Sequence, residues 1–193
     1  PKGRRVPMLY FIFISGWGET MQSGRPQVAI IGAGIGGLAA ALCLHRAGAE
    51  VSVHESVAEL RPLGVGINLL PHSVRILTDL GLADQLDAIA VRTAQLAYYN
   101  KFGQRIWSEP RGIDAGYRWP QYSVHRGALQ MLLYQTVLER LGADAIRTGE
   151  QLERVEDRGD TCVAWIRRRD ADAPARPITA DLVVAADGIH SVA

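Results

Sequence analysis

The sequence predicts an α/β fold built on a parallel sheet, with antiparallel strands inserted later in the chain. Three observations carry this prediction. An apolar run at residues 28–31 leads into a glycine-rich turn. An Ala- and Leu-rich stretch follows, and then a run in which Val51 and Val53 alternate with polar residues, which is the order of a βαβ unit. Further along, short β-rich runs succeed one another with brief connections, which is typical of antiparallel strands.

The composition is that of an ordinary globular protein. The 193 residues are 48% hydrophobic and carry a formal charge of +1, with 21 Lys and Arg against 20 Asp and Glu. These charges are scattered except in the run 167–169, which we expect at a solvated strand end, so we predict no nucleic-acid partner and no membrane partner. Cys43 and Cys162 lack the spacing of metal ligands, and we expect free thiols in a reducing, cytoplasmic compartment.

Residues 1–25 differ from the rest of the chain. They open with basic residues and an apolar stretch at 6–14, which resembles the start of a signal peptide. The stretch is short, no Ala-x-Ala-like site follows it, and Met21 stands just before the first predicted strand. We therefore expect residues 1–25 to be a non-native or disordered leader, with export as the alternative.

The βαβ unit comes first after this leader. We predict a strand at 28–31, a helix at 37–47 with Gly48 as its left-handed cap, and a second strand at 50–54. Glu55 ends the second strand.

The turn between strand and helix carries a dinucleotide-binding motif. Gly32, Gly34 and Gly37 match the G-x-G-x-x-G spacing, and Gly36 is an additional glycine. The first glycine permits a tight turn, the second lets a pyrophosphate approach the backbone, and the third lets the helix pack closely on the strand. Glu55 lies 55 − 32 = 23 residues beyond the first glycine, where an acid accepts hydrogen bonds from a ribose diol. Because its charge would repel a 2′-phosphate, the motif predicts NAD or FAD rather than NADP.

The chain then leaves this unit. We predict a loop containing Gly64 and Gly66, and then a helix over 71–81. The strand-like runs 94–100 and 104–110 are expected to form a hairpin in a separate antiparallel sheet.

A strand at 122–125 and a helix capped by Gly142 bring the chain back. Arg126 starts this helix, where a cation is unfavourable by about 0.3–1 kcal/mol unless an anion compensates, so we expect a phosphate nearby. An arginine turned to solvent is the alternative. Three strand-like runs follow, and the last, at 181–187, is predicted to rejoin the parallel sheet as a central strand with Asp187 at its carboxyl end.

These motifs resemble those of the FAD-dependent aromatic-ring hydroxylases, the class A flavoprotein monooxygenases. "GAGIGG" together with Glu55 is similar to the first flavin signature of that family, and "AADGIHSVA" is similar to its second. The stretch "WSEPRGIDAGYRWPQYSVHRGALQM" is similar to phenazine-carboxylate hydroxylases in particular. The resemblance runs from Pro26 to the end of the chain, and it implies a Rossmann-like FAD-binding domain with a mixed sheet and part of a substrate-domain sheet, truncated.

The resemblance also implies a set of cofactor-binding residues. The glycine turn would bind the pyrophosphate, and the acid and serine after the second strand would bind the adenosine ribose. An asparagine and an arginine would contact the flavin. A leucine contacts the adenine through its backbone, and the acid of the second signature contacts FAD or orients the backbone around it. In that order the residues are Gly32, Gly34, Ile35, Gly36, Gly37, Glu55, Ser56, Asn68, Arg126, Leu152 and Asp187. No catalytic side chain and no metal ligand is predicted, because in this family the flavin carries the chemistry.

In function, the resemblance implies a monooxygenase that uses FAD, NAD(P)H and O2 to hydroxylate a small aromatic substrate through a flavin C4a-hydroperoxide. It implies that residues 26–95 and 123–193 belong to the FAD-binding domain and residues 96–122 to the substrate domain. The family's third signature is missing, so we expect an amino-terminal half that is inactive alone and binds FAD weakly or not at all. Another FAD- or NAD-linked oxidoreductase and a cofactor-binding module without catalysis are the alternatives, and no particular oligomeric state is predicted.

Overall fold

The computed structural model describes residues 24–171 and 173–192, so most of the predicted leader lies outside the described residues. Its strands and helices are, in chain order, β1 (Gln27–Ile31), α1 (Ile35–Arg46), β2 (Glu50–Glu55), β3 (Gly66–Leu69), α2 (Pro71–Asp79), α3 (Ala83–Ile89), β4 (Ala90–Thr93), β5 (Gln95–Tyr99), β6 (Arg105–Pro110), β7 (Gln121–His125), α4 (Arg126–Leu141), β8 (Ile146–Thr148), β9 (Glu150–Asp157), β10 (Cys162–Arg168), β11 (Arg176–Ala180) and β12 (Leu182–Ala185).

A parallel sheet in the order β12-β1-β2-β8 forms the centre of the fold. Its inner strands are largely apolar because both of their faces are covered. On one face, Ile30 and Val53 from the sheet meet Leu38 and Leu42 from α1 and Leu129 from α4 in the main core. The predicted βαβ unit is confirmed, with α1 beginning two residues earlier than expected, at Ile35.

The other face of the parallel sheet is covered by an antiparallel sheet in the order β11-β10-β9. Ile31 packs there with Leu152, Ala164 and Ile166 in a second, smaller core. The chain then passes from β11 into β12, which pairs parallel to β1. This confirms the predicted antiparallel excursion that ends by returning a strand to the parallel sheet.

A further antiparallel sheet, in the order β3-β7-β4, precedes α4, and β5 and β6 form the predicted hairpin. Since α4 begins at the residue after β7, this sheet sets the position of the amino-terminal end of α4. Of the helices in the described part of the chain, none is long and apolar enough to cross a membrane.

Two expectations about site residues are corrected. Asn68 was expected in a loop, but it lies on β3 and pairs with Ser123 of β7. Strand β3 has only four residues and begins at a glycine, so the sequence pattern did not indicate a strand. Asp187 was expected after a central strand. Among the described residues β12 pairs with β1 alone in the parallel sheet, so it is an edge strand of that sheet.

Besides β3, four elements were not predicted: α3, β4, β8 and β11. β8 has three residues and β11 five, which is too short for a period to be recognised, and β11 includes Pro177. β8 pairs with β2, which is distant in sequence, so only the tertiary fold identifies it as a strand, whereas β11 pairs with β10, the strand that directly precedes it.

Candidate dinucleotide site

The glycine turn after β1 is shaped by two glycines that the fold itself requires. Gly32 has a φ of +104°, and a Cβ there would lie 2.8 Å from the carbonyl carbon of Ala186. A Cβ on Gly37 would collide with the Gly32 carbonyl oxygen and lie 3.2 Å from Ala186 Cβ. Both glycines therefore bring the turn, α1 and the end of β12 together, as the motif predicts.

Gly34 and Gly36 are different, because no protein atom lies within 4 Å of where their Cβ atoms would be. Gly34 has an ordinary extended conformation at the amino-terminal cap of α1, and Gly36 lies within the first turn. The protein's own packing does not require glycine at either position. Their open surroundings leave the space beside the helix end free for a ligand that approaches the backbone.

The amino-terminal end of α1 is also electrostatically suited to an anion. The first amides of a helix have no acceptor within it, and the helix dipole adds a partial positive charge there. No side chain caps this end, and its first turn has no acidic residue. The residues at this end, including Ile35 as the first helical residue, can therefore hold a diphosphate on their amides.

Glu55 points toward the glycine turn. Its Oε2 accepts a hydrogen bond from the Ala33 amide at 2.7 Å, and its Oε1 accepts from the Val57 amide at 2.9 Å and from the Ser56 hydroxyl at 3.1 Å. The structure thus brings together the acid, Ser56 and the glycine motif. The carboxylate is held in place by backbone donors, and Oε2, which accepts a single hydrogen bond, has a further lone pair for a ribose hydroxyl.

Gln130 is a residue of this site that sequence reasoning missed. Its side-chain amide on α4 donates to the Ala33 carbonyl at 2.9 Å, while Glu55 accepts from the amide of the same residue. Ala33 is fully buried, so both of its polar backbone groups are satisfied by side chains from other elements. A signal was present: Gln130 lies one helical turn after Arg126, and it is polar beside the apolar Leu129.

Arg126 is exposed at the first position of α4. Its amide donates to the Val65 carbonyl at 3.0 Å, and its side-chain stem packs on Gly64, where a Cβ would lie 3.2 Å from Arg126 Cβ. No carboxylate of residues 24–171 or 173–192 forms a salt bridge with it. The cation at this helix end is therefore available to an anionic ligand.

A buried polar network lies behind Glu55. His54 Nδ1 and Glu150 Oε2 are 2.6 Å apart, Ser52 Oγ lies 3.0 Å from His54 Nε2, and Arg176 donates to Glu150 Oε1 at 2.5 Å. His54 also accepts the Gly32 amide on its backbone carbonyl at 2.8 Å. The network therefore ties the β9 to β11 sheet to the strand end that carries both the turn and Glu55.

The pKa values within this network are displaced. Burial lowers the pKa of His54, although the hydrogen bond and the charge of Glu150 act in the opposite direction. Burial alone would raise the pKa of Glu150, but hydrogen bonds and charges from His54 and Arg176 outweigh it and lower that pKa. The pair is therefore a neutral imidazole that donates through Nδ1 to a carboxylate, with Ser52 donating to Nε2.

The remaining predicted residues are Asp187, Leu152 and Asn68. Asp187 adjoins Gly32 through its Cα, but its Oδ2 accepts from the Val192 amide at 2.9 Å and so orients the backbone after β12. Leu152 packs its side chain in the smaller core. Asn68 accepts a hydrogen bond from the Ser123 hydroxyl at 2.8 Å on the exposed side of the β3-β7-β4 sheet.

Known proteins match this chain over the same region. A family model described as FAD binding domain matches residues 25–193. The chain is 45% identical over 168 residues to the phenazine 1,6-dicarboxylic acid hydroxylase PhzS of Lysobacter antibioticus, with 86% of this chain and 41% of that protein covered. It is 35% identical over 169 residues to 3-amino-4-hydroxybenzoate 2-monooxygenase of Streptomyces cremeus, with 86% and 40% covered. The chain thus spans less than half the length of these curated relatives.

Solved structures have the same fold. Klebsiella pneumoniae HpxO, complexed with FAD and uric acid, superposes with a TM-score of 0.69 at 28% identity, over 86% of this chain and 40% of that one. The flavin-dependent monooxygenase PieE, in complex with FAD and substrate, gives a TM-score of 0.74 at 23% identity and supports the fold alone. The chain belongs to the FAD binding domain family, and its predicted resemblance to the FAD-dependent aromatic hydroxylases, including the phenazine hydroxylases, is confirmed.

Proposed function

We propose that this chain provides the FAD-binding part of a monooxygenase that uses NAD(P)H and O2 to hydroxylate a small aromatic substrate. The observation that carries the proposal is the open, uncapped end of α1, where Gly34 and Gly36 leave space against the backbone and Glu55 lies beside the turn. The identity to PhzS and to 3-amino-4-hydroxybenzoate 2-monooxygenase supports the substrate class.

The residues present fit FAD. The amides of residues 34–37 would hold the diphosphate, and Glu55 and Ser56 would bind the adenosine ribose. Arg126 would place a positive charge against the flavin end, and Asn68 and the backbone of Leu152 would contact the flavin and the adenine. Asp187 would orient the backbone next to Gly32. Residues 96–122 would contribute to the substrate domain, and residues 26–95 and 123–193 to the cofactor domain.

Bound FAD supplies the redox chemistry, in which NAD(P)H is the reductant and one oxygen atom of O2 is transferred to the aromatic ring. This chain's own side chains bind and orient. Gln130 and Glu55 hold Ala33 from both sides, so the turn presents its amides in a constant arrangement. Such preorganisation lowers the entropy lost when the cofactor binds.

The activity is tested with the whole protein that carries these residues, expressed in the cytoplasm. We expect a yellow protein with flavin absorption, NAD(P)H oxidation that an aromatic carboxylic acid stimulates, and a hydroxylated product that retains one atom of 18O2. Flavin binding without stimulated oxidation would support a cofactor-binding module instead, and hydride transfer without oxygen incorporation would support a different oxidoreductase. Comparing the whole protein with the 193-residue chain tests the expectation that the chain alone is inactive.

Changing Gly36 to alanine should affect stability and cofactor affinity in opposite directions. The new methyl group meets no protein atom, and alanine stabilises a helix relative to glycine by about 0.5–1 kcal/mol. The same methyl group occupies the space against which the diphosphate would lie, so the Kd for FAD should rise about tenfold or more. Urea unfolding and a flavin fluorescence titration of the Gly36→Ala protein measure the two effects. An unchanged Kd would show that the cofactor lies elsewhere.

Changing Glu55 to glutamine should weaken the binding of the adenosine half of FAD. A charged acceptor for ribose hydroxyls becomes a neutral one, and one of its contacts to backbone amides is lost, so the Kd for FAD should rise about tenfold. FMN lacks the adenosine, so its affinity should stay the same. Glu59→Gln is the matched control, since Glu59 is exposed and pairs only with Arg61 among the described residues. Equal losses for FAD and FMN would contradict the assignment.

A further inference from the structure

The short segment between β8 and β9 contacts the chain on both sides of Glu55. The Gly149 amide donates to the Val57 carbonyl at 2.8 Å, and the next residue, Glu150, places its Oε2 2.6 Å from His54 Nδ1. His54 directly precedes Glu55, and Val57 follows Glu55 by two residues. Two adjacent residues therefore fix the backbone before and after the acid of the candidate dinucleotide site.

The two residues held in this way make contacts that build the site. The Val57 amide donates to Glu55 Oε1 at 2.9 Å, and the His54 carbonyl accepts from the Gly32 amide at 2.8 Å. A shift of Val57 would remove a donor from the Glu55 carboxylate, and a shift of His54 would move the first glycine of the turn. The geometry of the site thus depends on where the segment after β8 holds the end of β2.

The hydrogen bond between His54 and Glu150 lies in the protein interior, since their side chains are 0% and 5% exposed. Ser52 Oγ lies 3.0 Å from His54 Nε2, and Arg176 donates to Glu150 Oε1 at 2.5 Å. Both imidazole nitrogens and both carboxylate oxygens therefore have a protein partner. Because the interior offers no water as a replacement, this bond holds the two segments more firmly than an exposed ion pair would.

We propose that His54 and Glu150 are positioning residues for the adenosine diphosphate part of the cofactor. Their buried hydrogen bond holds the end of β2 so that the amides of the glycine turn and the Glu55 carboxylate bind the same ligand. The inference rests on the proposed function, because it requires FAD to bind at the glycine turn. It assigns a role in cofactor affinity to two buried residues outside the dinucleotide motif.

Glu150→Gln is the matched comparison for Glu150→Ala, because it can keep every hydrogen bond of the network. Its side-chain oxygen can accept from Arg176, and its side-chain nitrogen can donate to His54 Nδ1. The imidazole then carries its proton on Nε2 and donates to Ser52 Oγ, so one neutral tautomer replaces the other. Glu150→Ala removes the partner of both His54 and Arg176 instead.

The test uses the whole protein that carries these residues, prepared without flavin, with FAD and ADP as the probes. Glu150→Ala should raise the Kd for both probes about tenfold, because only a fraction of the molecules then hold the turn and the acid in the binding arrangement. Glu150→Gln should keep both Kd values close to those of the wild type. The 15N resonances of the His54 ring, which distinguish the two tautomers, show whether the hydrogen bond to position 150 has been kept.

Leu86→Ala controls for the loss of stability in Glu150→Ala. Leu86 is fully buried on α3, so its truncation leaves a cavity and lowers stability, but it should leave the Kd for ADP unchanged. Hydrogen exchange of the unliganded protein adds a measurement that needs no cofactor. The Gly32 amide should exchange about tenfold faster in Glu150→Ala than in Leu86→Ala, because its acceptor is the His54 carbonyl.

The outcomes separate this inference from the proposed function. A wild-type protein that binds neither FAD nor ADP would overturn both. Binding of FAD and ADP by the wild type, with equal affinity in Glu150→Ala or with the same loss in Leu86→Ala, would overturn the positioning role alone. If Glu150→Ala does not fold, Ser52→Ala takes its place, since it removes the contact to His54 Nε2 at a half-buried position. It should raise the Kd for ADP about threefold, and an unchanged Kd would overturn the positioning role.

Discussion

Replacing Gly32 with alanine should lower the free energy of unfolding by about 3 kcal/mol or more. The positive φ of +104° is unfavourable for alanine by about 1–3 kcal/mol. The new Cβ would also lie 2.8 Å from the carbonyl carbon of Ala186, and overpacking of this kind costs about 1–3 kcal/mol further. Relief of that contact has to move the backbone at the end of β12. Urea unfolding at equilibrium measures the loss.

Gly48 provides the matched control for this substitution. Its φ is +98°, close to that of Gly32, but no atom lies within 4 Å of the position of its Cβ. Gly48→Ala should therefore show the conformational effect alone, about 1–3 kcal/mol. Equal losses at the two positions would mean that the close approach of Ala186 to the glycine turn is absent in solution.

Replacing Glu150 with alanine should also lower the free energy of unfolding by about 3 kcal/mol, because it breaks a buried polar network. Glu150 is 4% exposed, and its loss leaves the Nδ1 donor of His54 buried without its acceptor. Glu156 is the control. Its side chain is 37% exposed, where it pairs with Arg154 and Arg158 and accepts a hydrogen bond from Trp165 Nε1 at 3.0 Å, so Glu156→Ala should lose much less stability than Glu150→Ala. Similar losses for the two variants would contradict a buried network at Glu150.

The same network should make the protein sensitive to acid. Burial lowers the pKa of folded His54, so below about pH 6.5 the unfolded state takes up a proton that the folded state resists. The folded pKa of Glu150 is also lowered, so the unfolded state again binds the extra proton, now below about pH 4.3. In both cases the unfolded state holds more protons as the pH falls. Stability should therefore decrease from pH 7 downward.

Urea unfolding between pH 7 and pH 5 tests the contribution of His54. His54→Gln should be less stable than the wild type at pH 7 and should show a smaller loss of stability toward pH 5. His72→Gln, at an exposed histidine, should keep the pH dependence of the wild type. A His54→Gln protein with an unaltered pH dependence would show that the imidazole is not buried in the neutral form.

The local pattern of the sequence was sufficient for the βαβ unit and for most of the candidate site. Hydrophobic periodicity, the glycine spacing and the position of Glu55 all depend on residues close together in the chain, and the structure brings them to one turn. The predicted roles of Gly32 and Gly37 in packing follow from the same motif and are confirmed by their surroundings.

The features that only the tertiary structure decided depend on contacts between residues that are distant in the chain. Gln130 reaches Ala33 across 97 positions, and Glu150 reaches His54 across 96, so the residues near each side chain do not identify its partner. The strand conformation of Asn68 and of β8 likewise comes from ladders with distant partners. Propensity and periodicity depend only on residues that are close together in the chain. Side-chain hydrogen bonds and short strands instead form wherever the completed fold brings suitable partners within about 3 Å. The sequence by itself thus determined the motif and the family, and the packing of distant segments determined how that motif is held.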